Sequence, residues 1–424
     1  MSAITNLKKI EISEQLIKNI LLAMYLCIPF IKIALSHILL IKGIEDYALF
    51  LTLFFIYGLY IILCIEKREL LVPDFWVIYF IVILFFGLTY MFHPEYEHWY
   101  VREDYGVLNY VLRPDNGIFI YLFIRLVNNP EQILKTLKFS AWPMYLLYGR
   151  MIQLALIRGY WVDLSNHGYE SQMSYNLSLG YSVLIFVLPF LYSALEEKKL
   201  VDWVGFIVGI VIILVGGSRG PVFDIGIFVF LYILVNISKS KKKFLLMTGA
   251  FLFIFLLWVV YPYLLLFSLS VFERFNLSSR FLTMLASSSI TEDSGRFLIW
   301  SAALKMIQDN PFGYGAMGTR HVISSYIYVG HPHQFFLEIL VDFGVFIGTL
   351  IIFFLLFSSV KLFLMDNNDE WKGVFLIFFA RACQLLLSLT FWHSIGLWGA
   401  LAVGICIMQQ SKMKGTQCQT GQVM

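Results

Sequence analysis

Apolar stretches of about 20 residues recur along the chain from about Leu21 to Met408. A helix needs about 20 apolar residues to cross the hydrocarbon core of a bilayer. The 424-residue sequence is 59% apolar and only 14% charged, whereas soluble domains carry about 25% charged residues. These features exclude a soluble enzyme. They predict an all-α, polytopic membrane protein with a single membrane domain over residues 1–424.

Hydropathy windows of about 19 residues predict roughly 12 transmembrane helices. These spans lie near 19–41, 46–65, 73–92, 112–128, 136–157, 176–195, 201–217, 221–238, 244–268, 334–360, 372–390 and 393–410. If the N-terminus is cytoplasmic, the basic residues of alternate connections fall on one side: Lys8, Lys9, Lys18, Lys67, Arg68, Lys135, Lys138, Lys198, Lys199, the lysines of 239–243, Lys372, Lys412 and Lys414. This distribution follows the positive-inside rule and predicts that both termini are cytoplasmic.

The opposite face carries three loops, near 93–111, 158–175 and 270–333. The last is much the longest, so we expect function to be found in this periplasmic or extracellular loop. Apolar residues recur at helical spacing within about 295–310, and Pro311 disfavours a helical conformation at the preceding residue. We therefore predict a short amphipathic helix at 295–310, lying at the outer boundary of the membrane.

Two arginines stand where they could bind an anion. Arg219 lies in the connection Gly-Ser-Arg-Gly-Pro (217–221), which the topology places on the outer face. Its planar guanidinium suits a phosphate, although a turn with an interface anchor is the alternative. Arg296 begins the predicted loop helix, whose first backbone N–H groups could help it to bind an anion. A surface arginine without a partner is the alternative there.

Three further basic residues lie inside predicted spans: Lys32, Arg150 and Arg381. Charge within a membrane is costly and marks either a functional group or a pair. Structural pairing of these residues with Glu338, Asp342 or Asp224 is one interpretation. The other is that they line an outward-facing cavity whose positive potential attracts an anionic headgroup.

Two histidines, His331 and His333, close the long loop just before the next span. A histidine there could act as a general base near neutral pH, and a non-catalytic polar cap is the alternative. No third ligand stands at convincing spacing, and the five cysteines form no CxxC pair, so no metal site is predicted. The glycines of 313–318 follow a helix and not a strand, which excludes dinucleotide binding and favours a turn that returns Arg320 towards the membrane.

Several short motifs, in their order and spacing, resemble the O-antigen polymerase and ligase superfamily, which includes the Wzy-type polymerases of bacterial surface polysaccharides. A Ser-Arg-Gly connection (218–220) precedes a long outer loop that contains Gly-Arg-(apolar)-x-x-Trp and then Asn-Pro-Phe-Gly-Tyr-Gly (310–315). His-x-His-Gln-x-x-Leu (331–337) ends the loop, and Gly344 and Gly348 follow in the next span. The resemblance covers about 217–350, while the first 200 residues match only in hydropathy.

The resemblance implies a membrane glycosyltransferase of GT-C-type architecture, without cofactor or metal, whose donor is an oligosaccharide on undecaprenyl diphosphate. Arg219 and Arg296 would hold the diphosphate leaving group, and His333 would take the proton from the acceptor hydroxyl. From the residues alone, the other candidates for the substrate cavity are Lys32, Arg150, Arg320, His331 and Arg381. Where many relatives have Asn after the histidine, this chain has Gln334, whose reach differs.

Three functions remain open at this stage. We favour a polymerase of lipid-linked repeat units, which builds O-antigen or capsule at the bacterial inner membrane and works with a flippase and a chain-length regulator. A ligase would instead transfer the glycan to the lipid A core in lipopolysaccharide biosynthesis. A transporter of lipid-linked sugars would also have about 12 spans and buried charges, but such folds often show repeated halves, and we find no convincing repeat. The net charge of +3 comes from 31 basic and 28 acidic residues, which argues against a nucleic-acid partner.

Overall fold

The structure is a computed structural model that describes residues 13–38, 45–102, 106–163, 171–173, 176–239, 263, 265–270, 273–274, 279–287, 295–326, 331–365 and 369–420. We number its helices α1 to α16 in chain order: α1 (Glu14–Leu26), α2 (Ile28–Ile38), α3 (Glu45–Glu66), α4 (Pro73–Phe92), α5 (Glu97–Val101), α6 (Ile120–Val127), α7 (Pro130–Arg158), α8 (Leu177–Glu197), α9 (Leu200–Gly216), α10 (Arg219–Lys239), α11 (Arg280–Ala286), α12 (Arg296–Asp309), α13 (Gly318–Tyr326), α14 (Phe335–Leu364), α15 (Asp369–Ala382) and α16 (Ile395–Thr420). Short 3-10 turns at Gly117–Phe119, Cys383–Leu386 and Phe391–His393 connect some of them.

A small antiparallel ribbon is an exception to this helical architecture. Strands β1 (Trp161–Asp163) and β2 (Ser171–Met173) pair with Trp161 opposite Met173. The ribbon lies within the loop predicted at 158–175. The prediction of an all-α fold therefore omits a short β element in a loop, where hydropathy windows carry no information about strand pairing.

Five described helices are long and apolar enough to cross a membrane: Tyr47–Glu66, Pro73–Phe92, Ser178–Glu197, Arg219–Asn236 and Phe335–Leu364. A sixth results if α1 and α2 are counted as one bent span. Shorter apolar helices occupy Gly117–Val127, Leu200–Gly216 and Ile395–Ser411. The chain is thus a multi-pass membrane protein. The total of roughly 12 spans stays a prediction, and the span predicted near 244–268 lies mostly outside the described residues.

Three predicted spans are not single straight helices. The first bends by 74° where α1 gives way to α2, at Cys27. In α14, Gly344 has φ 76° and ψ 170°, which are not helical values. The span predicted near 372–390 leaves the α-helical conformation after Ala382, and an irregular connection leads to α16 at Ile395. Non-helical backbone at membrane depth is tolerated where it is enclosed by protein or lines a cavity.

Helix α8 lies at the centre of the bundle, because 78% of its membrane window is buried. Helices α1, α7, α9 and α15 all run towards one end of the bundle, and the chain returns from that end along α8, α10 and α16. The break at Cys27, the connection at 217–218 and the connection at 383–394 therefore meet at this end. We refer to it below as the cavity end.

Candidate functional site

A cavity of about 780 Å³ lies at the cavity end of the bundle. Three of the arginines singled out in the sequence line it, namely Arg219, Arg296 and Arg381. They come from three different helices, α10, α12 and α15. Asp115 also lines the cavity, but Arg113 holds its carboxylate with two hydrogen bonds of 2.8 and 2.5 Å. The remaining guanidinium groups give the cavity a positive character that attracts anions.

Local backbone geometry explains the position of Arg219. Gly217, which follows α9, has φ +75° in the left-handed region that glycine adopts without strain. Gly220, in the first turn of α10, packs so closely against Tyr181 of α8 that a Cβ atom would overlap the tyrosine hydroxyl. The two glycines allow a short connection and tight packing, and these place the half-buried Arg219 at the cavity wall.

Arg296 begins helix α12, directly after Gly295 with φ +79°. Ile299, Ala303 and Met306 of this helix are buried against α13 and α14, so the helix is anchored along one side. The backbone N–H groups of its first turn have no partner within the helix. Backbone N–H groups and a guanidinium at one helix start form a favourable anion site, and Arg296 lines the cavity.

The loop Asn-Pro-Phe-Gly-Tyr-Gly (310–315) docks onto the break in α14 at Gly344. Three backbone hydrogen bonds join them at 2.9, 2.9 and 2.8 Å: Tyr314 N–H to Val341 C=O, Gly315 N–H to Asp342 C=O, and Val345 N–H to Pro311 C=O. A Cβ atom on Gly313 or Gly344 would overlap the backbone of the other segment. The loop therefore satisfies polar groups that the break leaves open, and it fixes the end of α12 relative to the start of α14.

His331 and His333 precede α14, with ring centroids 4.1 Å apart. Gln334 is the N-cap of α14, and its side-chain oxygen accepts a hydrogen bond of 2.6 Å from the Leu337 N–H. The Gln334 side chain, which is longer than that of Asn, thus caps its own helix. His333 has φ +53°, a left-handed conformation that residues with a side chain seldom adopt and that often marks a functional site.

Burial, together with the positive charge of Arg296, lowers the pKa of His333 to about 4. Burial also lowers the pKa of His331 well below its ordinary range, with the charges of His333 and Arg320 acting in the same direction. Both imidazoles are therefore neutral at pH 7. The influence of Arg296 also shows that His333 lies within electrostatic reach of that arginine, although His333 is not one of the residues that line the cavity.

A buried polar cluster packs beside these histidines, and it contains Arg320, Glu338 and Asp342. Hydroxyl and indole groups donate to the two acids: Thr390 to Glu338 at 2.5 Å, Thr319 to Asp342, and Trp392 to Asp342 at 3.3 Å. These bonds link α13, α14 and the connection before α16. Arg320, Glu338 and Asp342 thus belong to a structural network next to the histidines.

Two of the remaining candidates lie away from the cavity wall. Lys32 is half-buried on α2, where its neighbour Ile33 lines the cavity. Arg150 is exposed on α7 and donates a 2.8 Å hydrogen bond to Gln153. In the part of the chain that the structure describes, no three His, Cys, Asp or Glu side chains are grouped so as to hold a metal ion.

Sequence reasoning missed several polar residues of the cavity, among them Gln384, Ser388 and His393. All three come from the irregular connection between α15 and α16. The available signal was weak, because polar side chains near the end of one predicted span and the start of the next usually mark an ordinary turn. These residues reach the cavity because α15 ends early, at Ala382.

A comparison with protein-family models matches residues 204–354 to a family described as O-antigen ligase. No curated protein matches the chain. No solved structure matches it either. The matched segment contains Arg219, Arg296, the loop at 310–315, His333 and Gly344, which are the residues whose geometry is described above. This match over residues 204–354 supports the resemblance of the chain to the O-antigen polymerase and ligase superfamily.

Proposed function

We propose that the protein polymerises oligosaccharide repeat units carried on undecaprenyl diphosphate, at the outer face of the bacterial inner membrane. The family supports glycosyl transfer of this general type. The observation that carries the proposal is the meeting of Arg219, Arg296 and Arg381 in one cavity, with the neutral His333 within electrostatic reach of Arg296. Both chain termini would be cytoplasmic and the cavity end would face outwards.

The proposed reaction is a single displacement at the anomeric carbon. An acceptor hydroxyl gives its proton to His333 while its oxygen attacks, and the bond from the anomeric carbon to the diphosphate oxygen breaks with inversion. Arg219 and Arg296 balance the negative charge that collects on the leaving undecaprenyl diphosphate. The reaction needs a positioned base and a charge-neutralising site, which His333 and the two arginines would supply.

A base with a pKa near 4 is weak, and donor binding would raise this pKa. Arg296 contributes to the low pKa of His333, and a bound diphosphate would neutralise that guanidinium. The pKa of His333 would then rise, and the histidine would become a better base when a donor is present.

The ligase is the second candidate, because the matched family model is itself described as O-antigen ligase. Both enzymes would use the same donor and the same residues. They differ in the acceptor, which is a further lipid-linked repeat unit for the polymerase and the lipid A core for the ligase.

The test is deletion of the gene in its host, followed by complementation and electrophoresis of the extracted surface glycan. Arg219→Ala, Arg296→Ala and His333→Ala are compared with Arg158→Ala and His98→Ala, which replace exposed residues of the same types. We expect a ladder of chain lengths from wild type and both controls, and glycan of a single repeat from the deletion and the three site variants.

Long chains that accumulate on the undecaprenyl carrier but never reach the core would identify a ligase. A His333→Ala variant that restores the normal ladder would exclude His333 as the base for either acceptor. Equal amounts of each variant in the membrane fraction must be verified by immunoblot.

A further inference from the structure

Arg381 differs from an arginine that is buried for structural reasons. Its side chain is buried at the end of α15 and lines the cavity, yet its Nε and Nη1 atoms have no hydrogen-bond partner among the described residues. Arg125 is also buried but has several partners, which are Asp74 at 2.8 and 3.3 Å, Gln409 at 3.1 Å and Cys406 at 3.4 Å. A buried guanidinium with unsatisfied N–H groups is costly, so its position in the cavity wall indicates a ligand.

Asp224 lies near Arg381 but does not occupy its N–H donors. This aspartate is fully buried on α10, five residues after Arg219, and neither carboxylate oxygen has a hydrogen-bond partner among the residues the structure describes. The two side chains lie within electrostatic reach of each other, but the described residues contain no ion pair between them. The guanidinium N–H groups of Arg381 therefore stay available to a ligand.

The surroundings of Arg381 indicate the chemistry of the ligand. Gln384, Ser388 and His393 line the same cavity and supply neutral hydrogen-bonding groups. Arg219 and Arg296 are half-buried, whereas Arg381 is 7% exposed. A compact anionic oxygen group fits such a position, because a guanidinium binds phosphate or carboxylate through two parallel hydrogen bonds.

We propose that Arg381 is a third anion-binding residue of the cavity, which binds an anionic group of the glycan donor at a more buried position than Arg219 and Arg296. The anion is either a phosphate of the diphosphate or the carboxylate of an acidic sugar. This inference rests on the proposed function, since the donor is taken from it.

The experiment measures binding to the full-length protein in lipid nanodiscs, with farnesyl diphosphate as the diphosphate probe and glucuronate as the carboxylate probe. Glucose is the uncharged control ligand, and Arg158→Gln is the matched exposed variant. We expect Arg381→Gln to weaken one of the two anionic probes by about tenfold or more, which corresponds to about 1.4 kcal/mol. Arg381→Lys should retain part of the affinity, because the charge remains but the paired donors are lost.

Two further readings separate binding from a structural role. Arg381→Gln removes a buried charge that has unsatisfied N–H groups, so its melting temperature should equal or exceed that of wild type. Asp224→Asn replaces the neighbouring acid and leaves the guanidinium of Arg381 unchanged, so it should bind the same probe at least as well as wild type. A structural ion pair would instead give a lower melting temperature for both variants and no change in affinity.

The outcomes identify the source of the anion. Loss of farnesyl diphosphate binding assigns Arg381 to the diphosphate, and loss of glucuronate binding alone assigns it to an acidic sugar. If Arg381→Gln binds both probes as Arg158→Gln does, the proposal is wrong. Arg219→Gln tests the proposed function separately. If this variant binds farnesyl diphosphate as wild type does, the proposed diphosphate site is wrong, while the two probes still decide the role of Arg381.

Discussion

His333 is uncharged at neutral pH, and its protonation should stop the reaction. With a pKa of about 4, the neutral form persists well below the ordinary histidine value of about 6.5. We expect kcat/KM, which reports the free enzyme, to fall about tenfold per pH unit below that pKa. The acid limb of kcat should lie at a higher pH, because a bound diphosphate offsets the charge of Arg296. Initial rates of polymer formation over the acid range measure both limbs.

The variant Arg296→Gln tests whether the charge of Arg296 contributes to the low pKa of His333. Burial is the main cause of the low pKa of His333, and the variant lacks the positive charge that lowers it further, so its residual kcat/KM should begin to fall at a higher pH than that of wild type. Arg158→Gln should leave the profile unchanged. Melting temperatures are needed in parallel. Between about pH 6.5 and 4 the unfolded chain binds a proton at His333 while the folded protein does not, so the stability of the folded protein decreases as the pH falls through this interval. If kcat and kcat/KM fall at the same pH, donor binding does not raise the pKa of His333.

At the scale of single elements, the break in α14 should be required for an active site. Gly344→Ala places a side chain at φ 76° and ψ 170°, a region open mainly to glycine, at a cost of about 1–3 kcal/mol. The new Cβ atom would also overlap the backbone at Phe312. We expect the loop at 310–315 to lose its docking and the activity to drop by at least about tenfold, since 1.4 kcal/mol corresponds to that factor. Enzyme assays and melting temperatures measure the two effects.

Gly87→Ala is the matched control, because Gly87 lies within the α4 span and a Cβ atom there meets nothing within 4 Å. This variant should be fully active and as stable as wild type or more so, since alanine is the better helix former. Wild-type activity of Gly344→Ala would show that the loop and the histidines do not depend on the break.

Hydropathy predicts where apolar helices lie in this chain, but it does not predict where they break. The span near 19–41 is bent at Cys27, and the span near 334–360 is interrupted at Gly344. A window average reports the transfer of side chains into lipid and contains no term for backbone conformation. The end of the loop helix was easier to predict, because Pro311 restricts Asn310 and α12 ends at Asp309. The breaks shape the site, so the sequence pattern alone leaves the site incomplete.

The candidate site is assembled from parts of the chain that are far apart in sequence, so a local motif predicts only some of its residues. Arg219, Arg296 and His333 belong to ordered motifs within about 120 residues, and the motifs were enough to single them out. Arg381 was found only as an intramembrane charge with a choice of partners. His393 and Gln384 reach the cavity through the connection after α15, and no local pattern distinguishes them from the polar residues of a turn.

The bundle has a second group of charges, at the end opposite the cavity, and we expect it to serve stability alone. Arg125 of α6 binds Asp74 at the start of α4 and Gln409 towards the end of α16, and Tyr121 donates to Asp74 at 2.7 Å. Removal of one partner from a buried pair costs about 3–5 kcal/mol, and partial exposure of Asp74 reduces this to about 2–3 kcal/mol. Arg125→Met should therefore lower the melting temperature clearly, while the activity per folded molecule remains that of wild type.

Lys135→Met is the control for this variant, because the pair of Lys135 and Glu131 is exposed and such pairs contribute about 0–1 kcal/mol. It should change neither quantity. Arg125→Met and Arg381→Gln should then show opposite behaviour, since the first loses stability and keeps turnover, while the second keeps stability and loses anion binding. If Arg125→Met instead lost turnover at full stability, the two ends of the bundle would be coupled, and the cavity would depend on helix positions set at the far side of the membrane.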